Sequence, residues 1–190
     1  MSELPDWMYA PRDEGWFADD LDHLPQAPRH TELIDGALVF MMSPQCWWHG
    51  EVVDNLKMAL IPQVPEGVRV GREMSIKLDR RNRPEPDVLV VKANFERKRT
   101  QFTPDEVLLV IEVVSPESVD RDRFVKVRKY AEAGIPHYWI VEEEEGGRPA
   151  VHVYELDQAT SAYVPAGIFR ESLERPVPFP IMIDLNALAD

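Results

Sequence analysis

Two stretches decide the fold: Glu85-Pro86-Asp87-Val88-Leu89-Val90-Val91 and Val107-Leu108-Leu109-Val110-Ile111-Glu112-Val113-Val114-Ser115-Pro116. Each is a short apolar run of strand length, and each carries a carboxylate, Asp87 at the mouth of the first and Glu112 inside the second, 25 positions apart. A charge within a buried strand is costly unless something compensates it. A second carboxylate close by makes the cost larger unless a metal is shared. Turn chemistry after Pro86 is the plain alternative for Asp87, and an ion pair with a buried arginine is the plain alternative for Glu112.

Working outward, the spacing predicts strands over 68–78, 87–92, 107–114, 137–141 and 151–156. A helix over 118–133 follows the third of these. Ser118 or Asp120 is its candidate cap, Phe124, Val127 and Ala131 its core stripe, and Gly134 with Pro136 its stop. Strand, crossover helix and strand make a βαβ unit, so strands 107–114 and 137–141 are expected to run parallel. The shorter connections upstream predict antiparallel pairing. A second helix is predicted over 47–61, with Val52, Val53, Leu56, Ala59 and Leu60 on one face and Pro62 ending it. Asp35-Gly36 predicts a hairpin turn inside 30–42, with Glu32 in a short helical element before it. The acidic run Glu142–Glu145 with Gly146-Gly147 reads as a solvent-facing turn. The expected architecture is α/β, a mixed sheet flanked by helices, with residues 1–23 as an N-terminal arm packed through Trp7, Trp16 and Phe17 and residues 24–190 as the main domain.

On the predicted helix, Asp122, Lys126 and Tyr130 lie four apart and share a stripe, which is expected to face a cleft. Lys126 is the candidate cation for the carboxylate pair, its alternative being a surface pair with Asp122. Glu32 is a candidate third carboxylate, its alternative being a first-turn acid at a helix N-terminus. His49, beside Trp47 and Trp48, is a candidate metal ligand whose plainer reading is packing or a surface hydrogen bond, and core burial is expected for the two tryptophans, with base stacking the other use of such aromatics. Mg²⁺ or Mn²⁺ suits an all-oxygen site built on Asp87 and Glu112, with the backbone carbonyl of Val113 as a further ligand. No His-x-x-x-His, Cys-x-x-Cys, phosphate-loop or serine-elbow pattern offers a competing chemistry.

The chain has 190 residues and a net charge of −13, with a single cysteine, Cys46, and no apolar run near the ~20 residues of a membrane span. A soluble, cytoplasmic protein with no membrane contact is expected; the N-terminus does not have the layout of a signal peptide. The charge is uneven. Residues 69–129 carry +4 and the remainder −17, so the segment holding the carboxylates is the basic one.

The motifs in order are Glu-Leu-Ile-Asp-Gly at 32–36, Ser43-Pro44 and His49, Pro86-Asp87, Ile-Glu-Val-Val-Ser-Pro at 111–116, Asp122 with Lys126 and Tyr130, Gly134-Ile135-Pro136 and Tyr138-Trp139-Ile140-Val141. Over roughly residues 24–165 this set resembles the bacterial putative restriction endonuclease family, a branch of the PD-(D/E)XK nuclease superfamily. The resemblance implies a restriction-endonuclease-like fold and DNA phosphodiester hydrolysis at a Mg²⁺ or Mn²⁺ site. By position it assigns Asp87 and Glu112 to the metal and to catalysis, Lys126 to the catalytic cation, and Glu32 to the supporting acid. One departure stands out: the superfamily lysine follows the second acid by two positions, and Val114 occupies that place here, so Lys126 must reach the site from the next helix. A homodimer is expected for an enzyme that cuts both strands. The competing reading is a catalytically silent nuclease-fold module acting through a protein partner, which the acidic net charge favours.

Overall fold

In the computed structural model, which describes residues 5–40, 46–93, 96–115 and 121–189 (without the side chains of 121 and 122), the two opening stretches are central strands of one sheet. In chain order the strands are β1 (Glu32–Ile34), β2 (Ala37–Val39), β3 (Val68–Arg72), β4 (Ser75–Ile76), β5 (Val88–Lys92), β6 (Gln101–Phe102), β7 (Val107–Val113), β8 (His137–Glu143), β9 (Pro149–Asp157), β10 (Ala162–Phe169), β11 (Ser172–Arg175) and β12 (Ile181–Asp184). The main sheet has the order β10-β9-β8-β7-β5-β3, and within it only β7 and β8 run parallel. The βαβ expectation holds, and β3, β5 and β7 pair antiparallel as expected, but the strand expected over 68–78 breaks into β3 and β4, and β4 pairs parallel with β6 in a separate two-stranded sheet. β5 and β7 are apolar along most of their length because both faces of the sheet are covered there.

Helix α1 (Trp47–Leu60) covers one face. Val52, Val53, Leu56 and Leu60 are all buried and pack with Val88, Val90, Leu109, Ile111 and the β11–β12 hairpin. The opposite face carries a six-residue π-helical stretch, Arg121–Lys126, that runs into α2 (Val127–Glu132). There Tyr130 and Ile135 pack with Leu89, Val110, Tyr138 and Ile140. Gly134, at φ +82°, closes α2, and the amide of Ile135 donates back to the carbonyl of Tyr130 at 3.1 Å, a Schellman closure that needs a residue tolerant of positive φ. The caps expected at Ser118 and Asp120 lie outside the described residues.

The wider π turn changes the phase of the helix. Phe124, expected in the core stripe with Val127 and Ala131, is 69 % exposed, whereas Ala131 is buried and Val127 half-buried. A sixth residue before the α-helical phase begins turns Phe124 off the buried stripe.

Asp35 and Gly36 both have positive φ, 51° and 80°, the signature of a type I′ turn, and they close β1 onto β2 with Ile34 opposite Ala37. Such a turn joins extended strands, so Glu32 stands on a strand and not in the short helical element expected for it. The hairpin is stitched to the chain before β5 by reciprocal bonds between Leu33 and Arg83, with Leu33 N to Arg83 O at 3.1 Å and Arg83 N to Leu33 O at 2.8 Å. The N-terminal segment rests on this hairpin. Trp16 is buried against Ala18 and Leu33, its amide donates to Gly36 O at 2.8 Å, and Trp7 meets Phe40 edge-on.

Candidate active site

The pairing of β5 with β7 sets Val88 opposite Ile111, and one further step of that register sets Asp87 opposite Glu112. Residues so placed share a face of the sheet, so the two carboxylates recognised in sequence converge at one end of adjacent strands. Asp87 is anchored by the backbone of the other strand. Its Oδ2 accepts the amide hydrogen of Val113, the residue after Glu112, at 2.6 Å.

Glu112 is buried and faces a buried cation. Lys126 Nζ lies 3.1 Å from Glu112 Oε1 and 2.9 Å from Glu32 Oε1, with all three residues at most 4 % exposed. The Tyr130 hydroxyl donates to the same Glu112 oxygen at 2.9 Å. Lys126 and Tyr130, one α-helical turn apart, therefore do share a stripe, but it points inward onto Glu112 and not into an open cleft. Lys126 pairs with Glu32 and Glu112, and the surface pair expected with Asp122 falls on a side chain outside the described residues. Val114, where a lysine would follow the second acid, is half-buried, and Lys126 supplies the ammonium from the following helix.

Glu32 reaches this place because the β1–β2 hairpin is bonded to Arg83. Its Oε1 also accepts the amide of Glu85 at 2.8 Å, so one carboxylate ties the hairpin to the Pro84-Glu85-Pro86-Asp87 segment. Burial lifts the Glu85 carboxyl above its usual range, against the opposing pull of His30, whose Nδ1 is 2.5 Å from Glu85 Oε1. Burial, reinforced by the charges of Glu112 and Glu32, pushes the Tyr130 phenol well above its ordinary value, so it remains a donor.

One member was considered in the sequence and set aside for a plainer reading. His49, on the first turn of α1, is neither a surface residue nor merely packed among aromatics. It is buried, and its Nε2 lies 3.4 Å from Asp87 Oδ1. The advance signal was its place in the motif order after Ser43-Pro44; the contact itself is tertiary. Ser43 and Pro44 lie outside the described residues. Trp47, expected in the core, is 84 % exposed, while Trp48 is half-buried and donates from Nε1 to Gly147 O at 2.7 Å.

Among the described residues no three or more His, Cys, Asp or Glu side chains form a metal cage. Asp87 and Glu112 nevertheless fit the way Mg²⁺ and Mn²⁺ are held, by one or two carboxylates together with water and substrate phosphate.

Comparison with known families decides the lineage. Residues 18–187 match the family Uma2, described as "Putative restriction endonuclease". The chain belongs to the Uma2 family. Among solved structures, a putative nuclease of the DUF820 group from Anabaena variabilis is similar at a TM-score of 0.68 with 19 % identity, covering 90 % of this chain and 95 % of that one. NucC of Pseudomonas aeruginosa, in a cAAA-bound form, is similar over 77 % of this chain and 98 % of its own at 10 % identity and a TM-score of 0.33. None of the curated proteins compared with the chain matches it. The Uma2 chain thus has the restriction-endonuclease-like fold that its motifs imply, and its family supports a nuclease function in general terms. Among the described residues no helix is long and apolar enough to cross a membrane.

Proposed function

We propose that this Uma2 protein is a metal-dependent endonuclease that hydrolyses DNA phosphodiester bonds. The observation that carries the reading is the convergence of Asp87 and Glu112 at one sheet end, with the Lys126 ammonium 3.1 Å from Glu112. Asp87 and Glu112 are the residues that would hold Mg²⁺ or Mn²⁺, with the Val113 carbonyl as a further oxygen ligand. A divalent ion there supplies Lewis acidity toward phosphate and a lowered pKa for bound water.

The chain's own residues do the rest. Val113 N–H and His49 fix the Asp87 carboxylate, so its orientation is set before substrate arrives. Tyr130 and Lys126 hold the Glu112 carboxyl group in place within a buried setting, and Glu32 is the second acid on Lys126. Lys126 is the positive charge available to orient water and to stabilise the negative charge that grows on the phosphoryl oxygens. Water then forms a bond to phosphorus and gives up one proton to solvent as the P–O bond to the leaving sugar oxygen breaks, and that oxygen takes up a proton from solvent. A homodimer would place two such sites on opposite strands.

The test is incubation of the protein with plasmid and with single-stranded DNA in Mg²⁺ or Mn²⁺, beside Asp87→Asn. An asparagine still has an oxygen to accept the Val113 amide, so the fold is expected to persist with its thermal midpoint within a few degrees. Cleavage by the wild type and loss in the variant supports the assignment. No cleavage by either protein would shift the reading to a catalytically silent module acting through a protein partner.

A further inference from the structure

The two oxygens of the Asp87 carboxylate have different neighbours. Oδ2 accepts the Val113 amide at 2.6 Å, and Oδ1 faces His49 Nε2 at 3.4 Å. The first contact is a short hydrogen bond. The second is too long for one, since N–H···O bonds run about 2.7–3.2 Å. A pair of opposite charges gains most by closing to about 2.7–2.9 Å, and this pair stands open by about 0.5 Å beyond that.

A separation of 3.4 Å does match the edge of a coordination polyhedron. Two donors that each lie about 2.1 Å from one ion, at about 90–110° to one another, stand about 3.0–3.4 Å apart. The two atoms are also firmly placed. His49 is buried in the first turn of the 14-residue helix α1, whose Val52, Val53, Leu56 and Leu60 pack on the sheet. Asp87 stands between Pro86 and the start of β5, pinned by the Val113 amide.

The direction of approach matters as well. α1 and α2 cover opposite faces of the sheet, so His49 reaches Asp87 from the face opposite to the one that carries Lys126. The Lys126 ammonium is held between Glu32 and Glu112. A divalent ion between His49 and Asp87 Oδ1 is therefore not set against that ammonium. Among the described residues these side chains close no cage, and an ion so held keeps positions for water and phosphate.

An imidazole changes which ion is favoured. Mg²⁺ is a hard cation that takes oxygen ligands, whereas nitrogen donors raise the affinity for first-row transition ions, a series that begins at Mn²⁺. We infer that His49 Nε2 is a direct metal ligand beside Asp87 Oδ1, and that this imidazole makes the site select Mn²⁺ over Mg²⁺. The inference rests on the reading of Asp87 as a metal ligand, and gives His49 a role beyond holding that carboxylate.

The test is pulsed EPR on untagged, chelator-stripped protein loaded with less than one equivalent of Mn²⁺. Wild type is expected to show the ¹⁴N modulation of a bound imidazole, and His49→Gln to lack it. Titration read by the EPR signal of free Mn²⁺ should show about tenfold weaker binding in His49→Gln, with a smaller change for competing Mg²⁺. A glutamine amide can still reach Asp87, so a histidine that only positions the carboxylate leaves Mn²⁺ affinity and selectivity in place. Wild-type protein labelled with ¹⁵N-histidine reads the same bond with no substitution, whatever the stability of the variant. Mn²⁺ bound to wild type without nitrogen modulation, or modulation that survives in His49→Gln, would overturn the inference. Mn²⁺ held through His49 by a protein that cuts no DNA keeps the ligand and removes the nuclease. Mn²⁺-dependent cleavage without nitrogen coupling does the reverse, and a wild type that binds no Mn²⁺ removes both.

Discussion

The carboxylate of Asp87 accepts the amide hydrogen of Val113 across the sheet, at 2.6 Å. Val113 is bonded covalently to Glu112, so this one hydrogen bond couples the positions of the two proposed metal ligands. A pair coupled in this way is preorganised, and an ion binding to it need not order either strand.

Divalent ions should therefore stabilise the fold through Asp87. At about 100 times its Kd, a ligand bound only by the native state adds about 2.7 kcal/mol. For a chain of this size that raises the thermal midpoint by several degrees. Scanning fluorimetry with Mn²⁺ and Mg²⁺ should show the rise in the wild type and its loss in Asp87→Asn. An equal rise in both proteins would place the ion elsewhere.

The Glu32–Lys126–Glu112 cluster predicts a large effect from a small change. Lys126→Met keeps most of the side-chain volume but leaves two buried carboxylates facing one another. Removing one partner of a buried ionic group costs on the order of 3–5 kcal/mol. Urea unfolding should show that loss, and adding Glu32→Gln to Lys126→Met should recover part of it. Independent, additive effects of the two substitutions would contradict the geometry.

The N-terminal segment gives a pH-dependent prediction. Asp20 is held below its usual value, 3.8, first by its hydrogen bond with Arg12, and it also accepts the Phe17 amide at 2.7 Å. A depressed carboxylate contributes stability that is present above its unfolded value and lost as pH falls through its folded one. Asp20→Asn should thus lower the thermal midpoint at pH 7. The difference from wild type should shrink as the pH drops below about 4, where the unfolded carboxyl is itself protonated. A difference that persists undiminished in acid would mean that Asp20 acts through something other than its charge.

How far the sequence carried the argument depended on the range of each interaction. Asp87 and Glu112 were legible because a carboxylate in or beside an apolar run is anomalous on its own segment, and the hairpin was legible because Asp-Gly is a local signal. The parallel pairing of β7 with β8 followed from the length of the crossover. Phe124 was misplaced because a π-helical turn changes helical phase without a mark in composition, and Glu32 because its strand is imposed by the turn that follows. His49 was misread because its contact with Asp87 joins elements nearly forty residues apart. β10 to β12 escaped notice for another reason. β10 is a largely exposed edge strand interrupted by a register shift between Pro165 and Gly167, and β11 and β12 span four residues each, too short for a clear period.

Tyr130 separates the structural and the chemical parts of the site. Its hydroxyl donates to Glu112 from a fully buried ring, and burial with the nearby carboxylates keeps the phenol protonated. Tyr130→Phe removes that donor and leaves the ring packing with Tyr138 intact. A hydrogen bond to a charged group is worth about 1.5–3 kcal/mol, so the variant should be less stable by that order in urea. Lys126 still holds the same Glu112 oxygen, so cleavage by Tyr130→Phe should fall far less than by Lys126→Met. Equal losses in both would make the phenol, and not the ammonium, the group on which Glu112 depends.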